Sequence, residues 1–146
     1  MAVAALASQR TRTRAALAAL RPRQWSKNLL LFAGIVFAAK LGDATRWGEA
    51  IAAFWAYCAA SSAAYLFNDV RDAEDDRAHP VKRIRPVASG EVPARVALGI
   101  AAVLAAAALT AAALLGPWSA AFMGGFLVLQ AAYTGEIGRA SCRERV

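Results

Sequence analysis

Acidic side chains crowd one short stretch of the sequence, Asn68-Asp69-Val70-Arg71-Asp72-Ala73-Glu74-Asp75-Asp76-Arg77. In a helix each residue turns by about 100°, which brings Asp69, Asp72 and Asp76 within an arc of roughly 60° and sets Asn68 beside them. Like charges gathered on one face repel, the more so beside a medium of low dielectric. A divalent cation relieves that repulsion. Hard carboxylate and amide oxygens suit Mg²⁺, which takes a few protein ligands and completes its shell with water and substrate phosphates. Cations come next in the chain: His79-Pro80-Val81-Lys82-Arg83-Ile84-Arg85-Pro86. A metal with Lys and Arg close by is a means of holding a diphosphate and stabilising it as it leaves. A solvated acidic helix end would account for the acids alone, and topology signals for the bases alone. Neither accounts for the two side by side.

The elements that must position this stretch are read from where charge is missing. No charged residue lies between Glu49 and Asp69, nor between Arg95 and Glu136. Uncharged, apolar runs of that length are what a bilayer span requires. Spans are therefore expected at Asn28–Ala39, Trp47–Phe67, Val96–Leu115 and Trp118–Thr134, with Gly116-Pro117 as the turn between the last two. The first run is short and would recruit its flanks, with Lys27 and Lys40 snorkelling. A secretory leader is the competing reading of that run, but further apolar segments follow it and no soluble domain does. Abundant Ala, Gly and Ser permit close helix packing in lipid. Before the first span, Ala15–Leu20 could form a short surface helix that Pro22 ends.

The net charge of +7 resides in residues flanking apolar runs, Arg10, Arg12, Arg14, Arg21, Arg23 and Lys27 before the first and Arg71, Arg77, Lys82, Arg83, Arg85 and Arg95 in the 68–95 loop. That placement is topological and excludes a nucleic-acid footprint, for which no aromatic interleaving or recognition module is present. Both basic segments should face the cytoplasm, across the inner (plasma) membrane from the 40–48 loop. Cys58 and Cys142 have no metal-ligand spacing and are expected in neither a disulfide nor a metal site. Trp25 reads as an interfacial anchor and His79, beside Pro80, as a loop-shaping residue. Residues 135–146, GEIGRASCRERV, break the apolar pattern abruptly and are read as foreign to the fold.

The stretch NDVRDAEDD resembles the NDxxDxxxD motif of the UbiA superfamily of intramembrane prenyltransferases, and it stands at the expected end of the second span. RPRQWSKN (21–28) and HPVKRIRPVASG (79–90) are similar to the branch that transfers phosphoribose to decaprenyl phosphate. The resemblance covers about residues 20–134. It implies an all-α, polytopic transmembrane bundle of nine helices, of which this chain would supply about four, as one domain over 28–134 behind a basic segment at 1–27. The reaction implied joins phosphoribosyl diphosphate to a polyprenyl phosphate, with release of pyrophosphate, toward a cell-wall arabinan precursor. By the same resemblance Asn68, Asp72 and Asp76 hold Mg²⁺, and Asp69 supports the metal or orients the ribose. Lys27, Lys82, Arg83 and Arg85 take phosphates. The lipid phosphate is already an anionic nucleophile, so the work left is neutralising the leaving group and aligning two anions.

The family's second aspartate-rich motif has no counterpart here, so the chain is expected to be an N-terminal portion that is inactive alone. Two other functions stay open. One is a polyprenyl diphosphate donor with an aromatic acceptor, which the same motif would serve. The other is a non-catalytic membrane subunit whose acidic loop docks a basic partner.

Overall fold

The computed structural model describes residues 12–143, with side chains described through residue 136. Arg10, residues 144–146 and the side chain of Cys142 lie outside that range. Every regular element in it is helical: α1 (Arg12–Ala19), a 3₁₀ segment (Pro22–Phe32), α2 (Ala33–Phe37), α3 (Ala44–Arg71), α4 (Ala73–Ala78), a 3₁₀ turn (Lys82–Ile84), α5 (Ala94–Leu115) and α6 (Pro117–Arg143). Among the described residues α3 and α5 are long and apolar enough to cross a membrane.

Asp43 starts α3 by accepting hydrogen bonds at Oδ1 from the Thr45 and Arg46 amides, at 3.0 and 3.2 Å, which satisfies two donors of the first turn. The helix then runs antiparallel to α5 on alanines. Ala63 meets Ala97 and Ala101 toward one end, and Ala56 and Ala60 meet Ala108 and Ala112 toward the other, where Met123 of α6 closes the cluster. The larger apolar side chains point the other way: Leu114, Trp118, Phe122, Val128 and Leu129 are each at least 69% exposed. A water-soluble bundle buries its large side chains; small residues inside with large ones outside is the packing that lipid favours.

Gly116 makes the reversal between α5 and α6. Its φ of 143° and ψ of 164° fall in a region that only glycine occupies comfortably, and Pro117 opens the next helix. Gly116→Ala is expected to cost about 1–3 kcal/mol for backbone reasons alone, because a methyl there meets no neighbour within 4 Å. Thermal unfolding in detergent would measure it, and an unchanged midpoint would contradict the argument.

The first expected span takes a different form. Instead of an α-helix over Asn28–Ala39, the chain forms a 3₁₀ segment from Pro22 and only a short α2. The segment lies antiparallel along α3, pairing Arg21 with Asp69, Trp25 with Ser62, Asn28 with Cys58 and Phe32 with Phe54. From Asp69 back to Phe54, α3 rises about 22 Å at 1.5 Å per residue; from Arg21 to Phe32 the 3₁₀ segment, at about 2.0 Å per residue, covers the same distance. The tighter helix thus lets a short run keep pace with a longer one. α1 forms where a surface helix was expected, yet Ala15 and Ala19 are fully buried against Leu66, Val87 and Val92. The last difference is at the other end, where α6 continues through Gly135 to Arg143 without a break at Thr134.

Candidate functional site

The acidic stretch keeps its helical row across a joint. Asp72 ends α3 and starts α4 with φ −89° and ψ 5°, while its amide bonds the Asn68 carbonyl at 2.9 Å and its own carbonyl accepts from the Asp76 amide at 2.8 Å. Asn68, Asp72 and Asp76 therefore follow one another at helical spacing, as expected. Their surroundings differ. Asp69 and Asp76 are buried, at 2% and 3% exposure, and Asn68 and Asp72 are half-buried. Glu74 and Asp75 are exposed.

Two arginines from distant parts of the chain enclose the buried pair. Arg21 follows α1 in the left-handed region, φ 52° and ψ 59°, a conformation a non-glycine residue adopts at some cost. From there its guanidinium lies 4.9 Å over the Tyr65 ring and donates through Nη2 to Asp69 Oδ1. Arg85 comes from the loop after α4. Its Nη1 is 2.8 Å from Asp76 Oδ2 and 3.5 Å from Asp69 Oδ1, so one nitrogen serves both acids.

The loop is built to hold Arg85 there. Val87, Ala88 and Val92 are buried, Arg77 Nε donates to the Ala88 carbonyl at 3.0 Å, and the chain turns at Gly90 with φ 84°. His79 Nδ1 accepts from the Val81 and Lys82 amides at 3.2 and 3.3 Å, which is the loop-shaping part expected of it.

The other expected cations are not gathered in. Lys27, Lys82 and Arg83 are exposed, and among the described residues none forms an ion pair. Trp25, read from the sequence as an interfacial anchor, is half-buried and turned into the bundle. Its indole N–H donates to Ser62 Oγ at 2.9 Å within the bundle, and its ring meets Trp55 edge-on. Ser62, 1% exposed, donates its own hydrogen bond to the Leu20 carbonyl at 2.7 Å and so ties the Arg21 segment to α3. Ser62→Ala is expected to cost about 1–3 kcal/mol, since it leaves an indole N–H and a carbonyl without partners. Val at this position should be no better despite its volume, and a denaturant midpoint equal to that of the unaltered chain would refute the tie.

Arg21 and Ser62 escaped the sequence reading, where Arg21 counted toward topology and the RPRQWSKN stretch but was given no role at the site. A carboxylate that closes a charge-free run, as Asp69 does, needs a counterion, and that need was the available signal.

The donors fit a hard divalent cation in kind and in spacing. Their present side-chain arrangement does not fit one: Asp69 and Asp76 are neutralised by arginine, and among the described residues the Asn68 and Asp72 side chains make no hydrogen bond. Among the described residues no three acids, histidines or cysteines stand close enough to share an ion. What the network can do as it stands is carry two guanidinium groups at the end of α3.

Comparison with known proteins adds two findings. The profile of the UbiA prenyltransferase family matches residues 29–142. Decaprenyl-phosphate phosphoribosyltransferase of Mycobacterium tuberculosis (strain CDC 1551 / Oshkosh) is 44% identical over 121 residues, covering 79% of this chain and 39% of that protein. The protein of the same name from Mycolicibacterium smegmatis is 43% identical over 119 residues, 79% of this chain and 37% of its own length. Nodulation protein NoeC of Azorhizobium caulinodans is 32% identical over 122 residues, 82% of this chain and 38% of that protein. The chain thus spans well under half the length of these relatives.

Proposed function

Since the chain belongs to the UbiA prenyltransferase family, we propose that it forms the donor-binding part of a membrane transferase that moves 5-phosphoribose from phosphoribosyl diphosphate to a polyprenyl phosphate. The observation that carries this reading is the acidic row with two arginines drawn onto it, in a chain 44% identical to a decaprenyl-phosphate phosphoribosyltransferase. A phosphate oxygen of the lipid attacks C1 of the ribose, the bond from C1 to the diphosphate oxygen breaks, and pyrophosphate leaves with the electron pair. No base is required, because the nucleophile is already ionised. Asn68, Asp72 and Asp76 would hold Mg²⁺, whose charge stabilises the departing diphosphate. Lys27, Lys82 and Arg83, exposed and in no ion pair among the described residues, are free to meet phosphate oxygens, with Arg85 as a fourth phosphate ligand. Asp69 would support the metal or orient the ribose.

The placement we favour is the plasma membrane, with the N-terminal segment and the acidic loop on the cytoplasmic side. The Arg21–Asp69 contact supports it by bringing both basic segments to one end of the bundle. The relatives are more than twice as long, and we propose that the reaction needs residues beyond this chain, so that alone it releases no pyrophosphate.

Ligand-induced stabilisation tests the donor. With Mg²⁺ present, phosphoribosyl diphosphate should raise the unfolding midpoint of the chain in detergent and geranyl diphosphate should not. The reverse order would replace this reading with a prenyl diphosphate donor and an aromatic acceptor.

A further inference from the structure

The same atoms are wanted twice. Asp76 is a candidate metal ligand and Arg85 a candidate phosphate ligand, yet Nη1 of one is bonded to Oδ2 of the other at 2.8 Å. While that bond stands the two charges neutralise each other, and only the second carboxylate oxygen and the remaining guanidinium N–H groups are left for the proposed roles, so each role is weakened. Arg21 covers the neighbouring acid, Asp69, in the same way. Burial adds a direction. The two carboxylates are 2% and 4% exposed, whereas the Arg21 and Arg85 side chains are 25% and 29% exposed. An anion arriving from outside the bundle would meet guanidinium before carboxylate.

We propose that Arg21 and Arg85 form a latch over the acidic row, released by an exchange of partners: a divalent cation takes the carboxylates as the diphosphate takes the guanidinium groups. The proposal rests on the metal and diphosphate reading above. The three ion pairs among two arginines and two acids break, and the same charges are paired again with the metal and the diphosphate, so charge balances throughout. Metal alone would leave the arginines stranded and diphosphate alone would leave the acids stranded, each in surroundings where an unpaired charge is costly. Only the pair together opens the site. Each ligand should then strengthen binding of the other by the same factor.

The test uses Mn²⁺ as an electron paramagnetic resonance probe and inorganic pyrophosphate as the anion, on the whole chain in detergent. The unaltered chain should bind Mn²⁺ weakly without pyrophosphate. Arg85→Gln should bind it about tenfold more tightly under the same conditions, within the usual range of coupling between sites, and should gain less from pyrophosphate. The Mn²⁺–pyrophosphate complex in solution is common to both proteins, so the difference belongs to the latch. Arg85→Lys, which keeps the charge, should fall between them.

A second measurement needs no variant. Amide hydrogen exchange at Ser89 and Val92, whose N–H groups bond the Arg85 and Pro86 carbonyls, should quicken when Mn²⁺ and pyrophosphate are added together and not when either is added alone. Equal Mn²⁺ affinity in the unaltered and Arg85→Gln chains, with pyrophosphate helping both alike, would overturn the latch and leave the metal site standing. Unchanged exchange with both ligands bound would also overturn it. Absence of Mn²⁺ binding in every case would overturn both the latch and the metal reading.

Discussion

Arg21→Ala is expected to lower the stability of the folded chain by about 3 kcal/mol, the lower end of the range for depriving a buried carboxylate of its partner. Asp69 is only 2% exposed and Arg21 is the nearer of its two cations, with Arg85 Nη1 remaining at 3.5 Å. Because Arg85 stays, and Arg21 is itself a quarter exposed, the upper end of the range is not expected. Arg21→Gly should cost roughly 1 kcal/mol less than Arg21→Ala, since glycine accepts the left-handed backbone that arginine holds under strain. The decisive comparison is with Arg21→Ala combined with Asp69→Ala, which removes both charges and should be less harmful than the sum of the two single changes. Denaturant unfolding in detergent micelles would read all four proteins. Simple additivity would mean that the two side chains touch without supporting each other.

Asp72→Ala should have the opposite profile: little change in stability and a large loss of binding. Its side chain is half-buried and makes no hydrogen bond or ion pair among the described residues, so its removal strands no partner. Affinity for phosphoribosyl diphosphate with Mg²⁺ should nevertheless fall by about 100-fold, on the scale of losing one member of a close charge pair at a binding site. Titration calorimetry on the purified chain would measure the fall. Asp72→Asn keeps an oxygen donor but not the charge, and should lie between. If both variants bind as the unaltered chain does, the acidic row is no metal site, and the reading of the loop as a docking surface gains.

Much of this was legible in the residues. The charge-free runs placed α3, α5 and the start of α6 to within a few residues, because a bilayer span must exclude charge over its whole length. Gly116-Pro117 marked the reversal for reasons local to those two residues. The helical spacing of Asn68, Asp72 and Asp76 was legible because it is local, but Asp69, Asp72 and Asp76 do not converge as expected, since Asp69 and Asp76 turn to a shared Arg85. What was not legible needed chain segments to meet. Arg21 and Arg85 are 64 positions apart, and nothing in either neighbourhood specifies that both reach Asp69. The 3₁₀ form of the first apolar run was hidden as well, since recurrences at every third or fourth residue suit either helix. The polar residues from Gly135 on looked like the end of the element because composition changed there, although the backbone did not.

That 3₁₀ segment makes the site mechanically dependent on its own pitch. Rewinding Pro22–Phe32 into an α-helix would shorten it by about 5 Å, close to one α-helical turn. Asp69 and Phe54 are fixed on a rigid α3, so the rewound segment could keep Arg21 on the acid or Phe32 on the ring, but not both. The segment therefore works as a gauge of fixed length, and any influence on its winding, from lipid thickness or from a neighbouring helix, is transmitted directly to the arginine at its end.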